Sequence, residues 1–372
     1  MSEFEAIVAD LGSNLARVGL AGYDVPKLQV PTVVGHPKVS SAMSIDTKDF
    51  FIGQEALSKR EFLTLSQPVL DKEVQSWPDV EKLVGYLCNN ELNLDFSQHK
   101  FLLCEPPQQT RAYREQWTEL LFEKFNVHSL YLGNSSTLAL FATGRTTGVV
   151  VESGQASTHI SPIYEGYAFP HAYGRLPIGG DHITQLLIES LRQKGDELPQ
   201  SKEFEIATEI KERTCYVSQD FQQELSSAQE SAYQEKPYEL PDNRTILLGV
   251  ERCKSPEALF QPAFLEKDLP GLHEFVFTSV MKCDSDIRKN LYYNIVLCGG
   301  NSMFRNFKVR LARDVKALAP SNMDVKVSAP PERKHLAWLG GALLSSIDSF
   351  KMWIKRTEYV EMGAAVVHRK CF

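Results

Sequence analysis

The chain has 372 residues and a mass of 41.9 kDa, with 43% apolar and 23% charged residues. That composition excludes intrinsic disorder and, at roughly 100–200 residues per domain, implies two or three domains. A formal net charge of −7 and a pI near 5.8 exclude a direct, sequence-independent grip on nucleic acid or on an anionic membrane. No apolar run approaches the roughly 20 residues a membrane span needs, and Met1-Ser2-Glu3-Phe4-Glu5 lacks the basic and apolar regions of a signal peptide.

In chain order, the first predicted element is the apolar run Ala6-Ile7-Val8-Ala9 ending at Asp10. A turn over Leu11-Gly12-Ser13-Asn14 and a returning strand Leu15–Leu20 follow, which together read as a β-hairpin with an acid at its lip. The polar stretch His36–Phe51 reads as a mobile surface loop. Helical spacing of Val80, Leu83, Val84 and Leu87 predicts a helix starting near Asp79. Trp117, Leu120, Leu121 and Phe125 predict another over Thr110–Asn126. Between them Phe101-Leu102-Leu103-Cys104 reads as a buried strand stopped by Pro106-Pro107.

A second apolar strand, Thr147–Val151, ends at Glu152 and is followed by Ser153-Gly154-Gln155-Ala156 and the returning Ser157–Ile160. Asp10-Leu-Gly12-Ser13 and Glu152-Ser-Gly154-Gln155 align at a separation of 142 residues. This pattern is either a duplicated domain with a cleft between its copies or a chance likeness of two hairpins. Asn294–Cys298 predicts a strand running into Gly299-Gly300, where the missing side chains allow close approach of a ligand, with a helix from Phe304 onward. Ala337-Trp338-Leu339-Gly340-Gly341-Ala342-Leu343-Leu344 predicts a helix whose small residues suit close packing.

Seven cysteines, with no C-x-x-C pair and an odd total, fit reduced thiols of the cytosol or nucleus, buried as small apolar side chains. Cys371, beside the terminus, is expected to be the most reactive. The chemistry of the two hairpins is more specific. A glycine turn presents backbone N–H groups as a concave nest for phosphate. Arg17 adds a bidentate phosphate donor, and the carboxylates Asp10 and Glu152 suit the water shell of Mg²⁺.

Gly144-Arg-Thr-Thr-Gly148, Pro162-Ile-Tyr-Glu-Gly-Tyr167, Ile210-Lys-Glu-Arg-Thr-Cys-Tyr-Val217, Tyr238-Glu-Leu-Pro-Asp242, Pro256-Glu-Ala-Leu-Phe-Gln-Pro262, Met281-Lys-Cys-Asp284, Ala329-Pro-Pro-Glu-Arg-Lys334 and Val367-His-Arg-Lys-Cys-Phe372 closely resemble the actin family, across essentially the whole chain. The resemblance implies an α/β actin-like ATPase fold of two duplicated lobes around a nucleotide cleft. It divides the chain into subdomain 1 (1–31, 69–135, 337–372), subdomain 2 (32–68), subdomain 3 (136–177, 268–336) and subdomain 4 (178–267). It implies ATP or ADP with Mg as cofactors. Gly12, Ser13, Asn14 and Arg17 would form the first phosphate loop, and Gly154, Gln155 and Ala156 the second. Asp10 and Glu152 would lie by the cation and the attacking water. Gly179, Gly180 and Asp181 would approach the nucleotide, Lys211 and Glu212 would flank adenine and ribose, and Gly299, Gly300, Asn301, Met303 and Lys334 would close the other side.

The departures from the family pattern point to a divergent, actin-related member. Arg17 replaces a lysine, Glu152 an aspartate, Gln155 an acid and Ala156 a glycine. Ser135 replaces the glutamine that orients the hydrolytic water and is too short to do the same from that backbone position. Phosphoryl transfer depends on positioning, so these changes imply weak or absent hydrolysis. The N-terminal acids are reduced to Glu3 and Glu5, and Ser97-Gln98 replaces an acidic pair. The filament-contact loop is shortened to Val39–Asp46, and the plug segment Phe264–Leu269 carries Glu266, Lys267 and Asp268. An apolar groove of Phe141, Leu343, Leu344, Ile347 and Phe350 is kept, a receptor for amphipathic partner helices in actin.

The reading that follows is a scaffolding subunit of a cytoskeletal, ciliary or chromatin-associated assembly, cytoplasmic with the nucleus as a second location. Its expected partners are protein subunits, with actin and actin-binding proteins as candidates. The alternative is an ATP-hydrolysing, filament-forming actin. Sugar kinases and large heat-shock chaperones of the same fold superfamily do not account for the strings at the C-terminus and in the third subdomain.

Overall fold

The apolar run at the start of the chain forms a strand, Ala6–Leu11, paired antiparallel with Leu15–Leu20. The computed structural model describes residues 5–38, 48–229 and 235–371. The expectations for Glu3 and for the Val39–Asp46 loop lie outside these residues, as does most of the His36–Phe51 stretch. Two units divide the chain: Met1–Thr146 with Glu165–Ala168 and His335–Phe372, and Thr147–Tyr164 with Phe169–Lys334.

In the first unit the sheet order is Ile354–Lys355, Ser129–Asn134, Lys100–Glu105, Ala6–Leu11, Leu15–Leu20, Leu28–Pro31. Ala6–Leu11 and Ser129–Asn134 both run parallel to Lys100–Glu105. Side chains alternate across a strand, so Ile7, Ala9 and Leu11 enter one core layer while Ala6 and Val8 enter another. Val80, Leu83, Leu87, Trp117 and Leu121 fill the first layer. Their helices differ from the expected spans at the ends. The first begins at Trp77, because Ser76 accepts a hydrogen bond from the Asp79 amide at 3.3 Å, and Tyr86–Glu91 continues it as a wider π-helical turn. The second is an α-helix only over Arg111–Glu119, capped by Thr110, and widens over Leu120–Lys124.

The second layer rests on the Leu336–Ser345 helix against Ser135–Phe141. Trp338 donates its indole N–H to the Val8 carbonyl at 3.0 Å. A Cβ on Gly340 would fall 1.8 Å from the Leu138 carbonyl oxygen, so the two helices meet backbone to backbone. Cys371 departs from expectation. Its thiol is buried and accepts a hydrogen bond from the Leu132 amide at 3.3 Å, and Arg114 donates to its carbonyl at 2.8 Å. Burial pushes the thiol up to about 12, which makes it unreactive in the folded chain.

A smaller sheet in this unit places Val34–Pro37 between Phe51–Ile52 and Leu63–Ser66, around Phe51, Ala56 and Leu63.

In the second unit Gly148–Ser153 pairs antiparallel with Thr158–Tyr164 and parallel with Ile295–Cys298, which in turn pairs parallel with Val327–Ser328. Gly174–Leu176 joins the far side of Thr158–Tyr164. Each unit thus carries the same succession of returning hairpin and two parallel strands. The offset of 142 holds for register as well: Ile7↔Leu20 becomes Val149↔Pro162, and Asp10↔Arg17 becomes Glu152↔His159. Duplication, rather than chance likeness, accounts for that. The helix expected from Phe304 begins at Phe307, after Asn306 in the left-handed region at φ 65°.

Gly340→Ala forces the Leu138 main chain away, and overpacking at such a contact costs about 1–3 kcal/mol or more. Urea unfolding of the variant should show at least that loss. A loss below about 0.5 kcal/mol, the range of a neutral surface change, would mean that the two helices are free to separate.

Candidate functional site

The first turn closes through the Gly12 amide, which donates to the Leu15 carbonyl at 3.1 Å, while the Asn14 carbonyl accepts from the Thr32 amide at 2.9 Å. Ser13 is buried and Asn14 exposed at the corner. Asp10 and Arg17 face each other across the hairpin, and Arg17 Nη1 donates to Asp10 Oδ2 at 3.2 Å. The Arg17 Nε is buried and has no hydrogen-bond partner within the protein. A Cβ on Gly12 would stand 3.1 Å from the Leu15 oxygen and 3.8 Å from Arg17 Nη1. Elsewhere in this unit, Ser135 is the first residue of the Ser135–Phe141 helix and only 4% exposed. Asn134 caps that helix, its Oδ1 accepting from the Ser136 and Thr137 amides at 3.0 and 3.1 Å.

The second turn repeats the first: the Gly154 amide donates to the Ser157 carbonyl at 2.9 Å. It is fastened to the start of the Gly180–Lys194 helix, whose Gly180 and Asp181 amides donate to the Gly154 and Gln155 carbonyls at 3.0 and 2.9 Å. These amides are among the donors that a helix leaves without intrahelical partners. Gly179 is required there, since a Cβ would lie 2.5 Å from the Gln155 oxygen and 2.6 Å from the Ser157 nitrogen. Gln155 also donates its side-chain amide to Asp181 Oδ1.

Three predicted residues converge on Gly180. A Cβ on it would meet Lys211 Nζ at 3.2 Å, Gln155 Oε1 at 3.5 Å and Asn301 Oδ1 at 3.6 Å. Lys211 is buried and held by the Gly180 carbonyl at 3.0 Å and Thr184 Oγ1 at 2.8 Å, and burial lowers its pKa. Asn301 Nδ2 donates to Ser153 Oγ at 2.9 Å, whereas its buried Oδ1 has no hydrogen-bond partner within the protein. Gly299 takes φ 88° and passes so close to Ser153 that a Cβ would lie 2.3 Å from its carbonyl oxygen. Gly300 opens onto free space. Burial raises the Asp181 carboxyl to about 6 against the opposing pull of Lys211. Ala156 and Glu152 are half-buried, while Glu212, Met303 and Lys334 are exposed.

Sequence reading missed His159, the register partner of Glu152 and so the counterpart of Arg17. Its ring is buried between Ser157 Oγ, at 2.7 Å from Nε2, and the Tyr173 hydroxyl on Nδ1. The 142-residue offset is the signal that would have found it. Of the groove residues, Leu343 and Ile347 are exposed, whereas Phe141, Leu344 and Phe350 are half-buried. Leu344 and Phe350 pack on the core layer of Trp338, and Phe350 meets Tyr131 edge-on at 4.8 Å.

The family model described as Actin matches residues 1–372. The chain belongs to the actin family. Actin-family proteins in general bind a nucleotide with Mg and work with protein partners in the cytoskeleton. Among the described residues of this actin-family chain, no helix is long and apolar enough to cross a membrane.

The raised Asp181 pKa has a defined linkage. A carboxyl whose folded value exceeds its ordinary 3.8 adds stability below pH about 4 and loses it as pH rises through about 6. Between pH 4 and 7 the ligand-free wild type should lose on the order of 1–2 kcal/mol relative to Asp181→Asn, allowing for partial solvent screening. Parallel unfolding curves of the two proteins across that range would contradict the assignment.

Proposed function

We propose that this actin-family protein is a structural subunit that binds ATP with Mg, turns it over slowly or not at all, and serves within a cytoskeletal, ciliary or chromatin-associated assembly. The four-subdomain division given above is part of the proposal. The observation that carries it is Ser135, a short and buried side chain at the start of its helix, where the family places a water-orienting glutamine.

The residues present fit a nucleotide. The second unit supplies the buried Asn301 Oδ1 awaiting a donor, the open face of Gly300, Gly180 beside Lys211, Gln155 and Asn301, and Gly179, where a side chain has no room. These with Lys211, Glu212, Gly299, Met303 and Lys334 would hold base and ribose, and Gly154, Gln155 and Ala156 would hold phosphate. The first unit supplies the Gly12–Asn14 turn and Arg17, whose guanidinium retains a buried, unpartnered Nε. Mg, when bound, would neutralise phosphate charge, and Asp10 and Glu152 are the residues that would hold its waters. The protein's own part is positioning. Gln155 is committed to Asp181 and His159 to Ser157 and Tyr173.

Assembly by the conventional filament route is also disfavoured. Glu266 and Asp268 are exposed on the plug segment, and Lys267 donates to the Pro177 carbonyl at 3.3 Å. Burying the two acids without partners at a subunit contact is costly.

Millimolar Mg-ATP is expected to raise the melting temperature of ligand-stripped protein, because a ligand of the folded state stabilises it by mass action. An unchanged melting temperature would refute nucleotide binding. Single-turnover phosphate release should be slower than in conventional actin filaments by orders of magnitude. Ser135→Gln with Glu152→Asp should accelerate it more than either change alone, since both act on one water. Sedimentation at micromolar protein with Mg-ATP should leave most of the chain in the supernatant. A pellet of filaments would favour the hydrolysing, self-assembling alternative.

A further inference from the structure

The turn at 154–157 is held by more than its own hydrogen bond. Two carbonyls of the turn, those of Gly154 and Gln155, each take an amide from the first residues of the Gly180–Lys194 helix. The Gln155 side chain crosses the same junction to the Asp181 carboxylate. Gly179 is in van der Waals contact with the turn, with no volume left for even a methyl group. The backbone bonds exist whatever residue stands at 155, but the side-chain bond depends on an amide there. An acid at 155 would set two carboxylates against each other at this junction. Lys211 eases this charge only in part: two of its three donors go to the Gly180 carbonyl and Thr184, and burial still raises the Asp181 carboxyl to about 6 against its pull. Two adjoining acids need a proton or a bound cation to coexist.

We infer that Gln155 is a positioning residue that staples this turn to the helix, so that the turn keeps one shape whichever phosphates a bound nucleotide carries. This rests on the nucleotide-binding reading, which it deepens by assigning the site little discrimination between ATP and ADP. A neutral donor on a carboxylate needs neither proton nor metal. The junction is therefore already formed in the free protein, and a terminal phosphate has little conformational change left to drive. Such a site suits a subunit whose nucleotide maintains shape rather than reporting a cycle.

The test compares wild type, Gln155→Ala and Gln155→Glu by amide hydrogen exchange at 154–157 without nucleotide, and by Kd for Mg-ATP and Mg-ADP. The wild-type turn should exchange equally slowly with either nucleotide, and the two Kd values should agree within about three-fold, under 1 kcal/mol. Gln155→Ala should exchange about ten-fold faster, the effect of losing one charge-assisted hydrogen bond. Gln155→Glu should be faster still at pH 7.5, with unequal Kd values. At pH 5, where Asp181 carries a proton that it donates across the junction, that variant should return toward wild type. A merely structural glutamine would show no such acid rescue. Unchanged exchange in both variants, or wild-type amides protected differently by ATP and ADP, would overturn the staple. If neither nucleotide binds, the functional reading fails, while exchange in the free protein still decides whether Gln155 fixes the turn.

Discussion

A glycine amide donating to the carbonyl three residues ahead closes each hairpin, and the placement of every candidate site residue near the two turns depends on that bond. Once Gly12 bonds to Leu15, the register is fixed, Asp10 must face Arg17, and the alternation of Ala6–Leu11 between two core layers follows. Gly154 and Ser157 do the same for Glu152 and His159. A slip of one residue in either hairpin would send apolar side chains to the wrong layer and carry the lip acid to the opposite face. Chemistry and folding are thus constrained by the same hydrogen bond, with packing enforcing a register that the site then uses.

The two copies have spent this common frame differently. Opposite the first acid stands a guanidinium with direct access to it. Opposite the second stands an imidazole enclosed by a serine and a tyrosine. The first copy leaves a cationic donor at the turn, while the second gains its polarity from the neighbouring helix and from Lys211 and Asn301. Arg310 illustrates a different use of buried charge in the second unit: Glu257 at 2.7 Å and Asp314 at 2.5 Å enclose it. Removing one partner there would leave the others uncompensated.

Much of this was legible in the sequence because periodicity and glycine placement report local geometry directly. The strand ending at Asp10, the strand ending at Glu152 and the small-residue helix after Pro330-Pro331 all stand close to where the spacing put them. What escaped has physical reasons. The π-helical turns at Tyr86 and Leu120 are announced by no residue type. Cys371 was misjudged because nearness to a chain end is not exposure: tertiary contacts with Leu132 and Arg114 bury it. His159 was passed over because histidine and arginine look unrelated until strand register aligns them.

The meeting of Gly340 with the Leu138 carbonyl has an evolutionary corollary. Position 340 is constrained by a main-chain atom that every amino acid carries, so no substitution at 138 can compensate for a larger residue at 340. Covariation methods detect contacts through paired side-chain exchanges, and this one offers none. This backbone-to-backbone helix contact should therefore be silent in any coevolutionary map, marked only by an unchanging glycine.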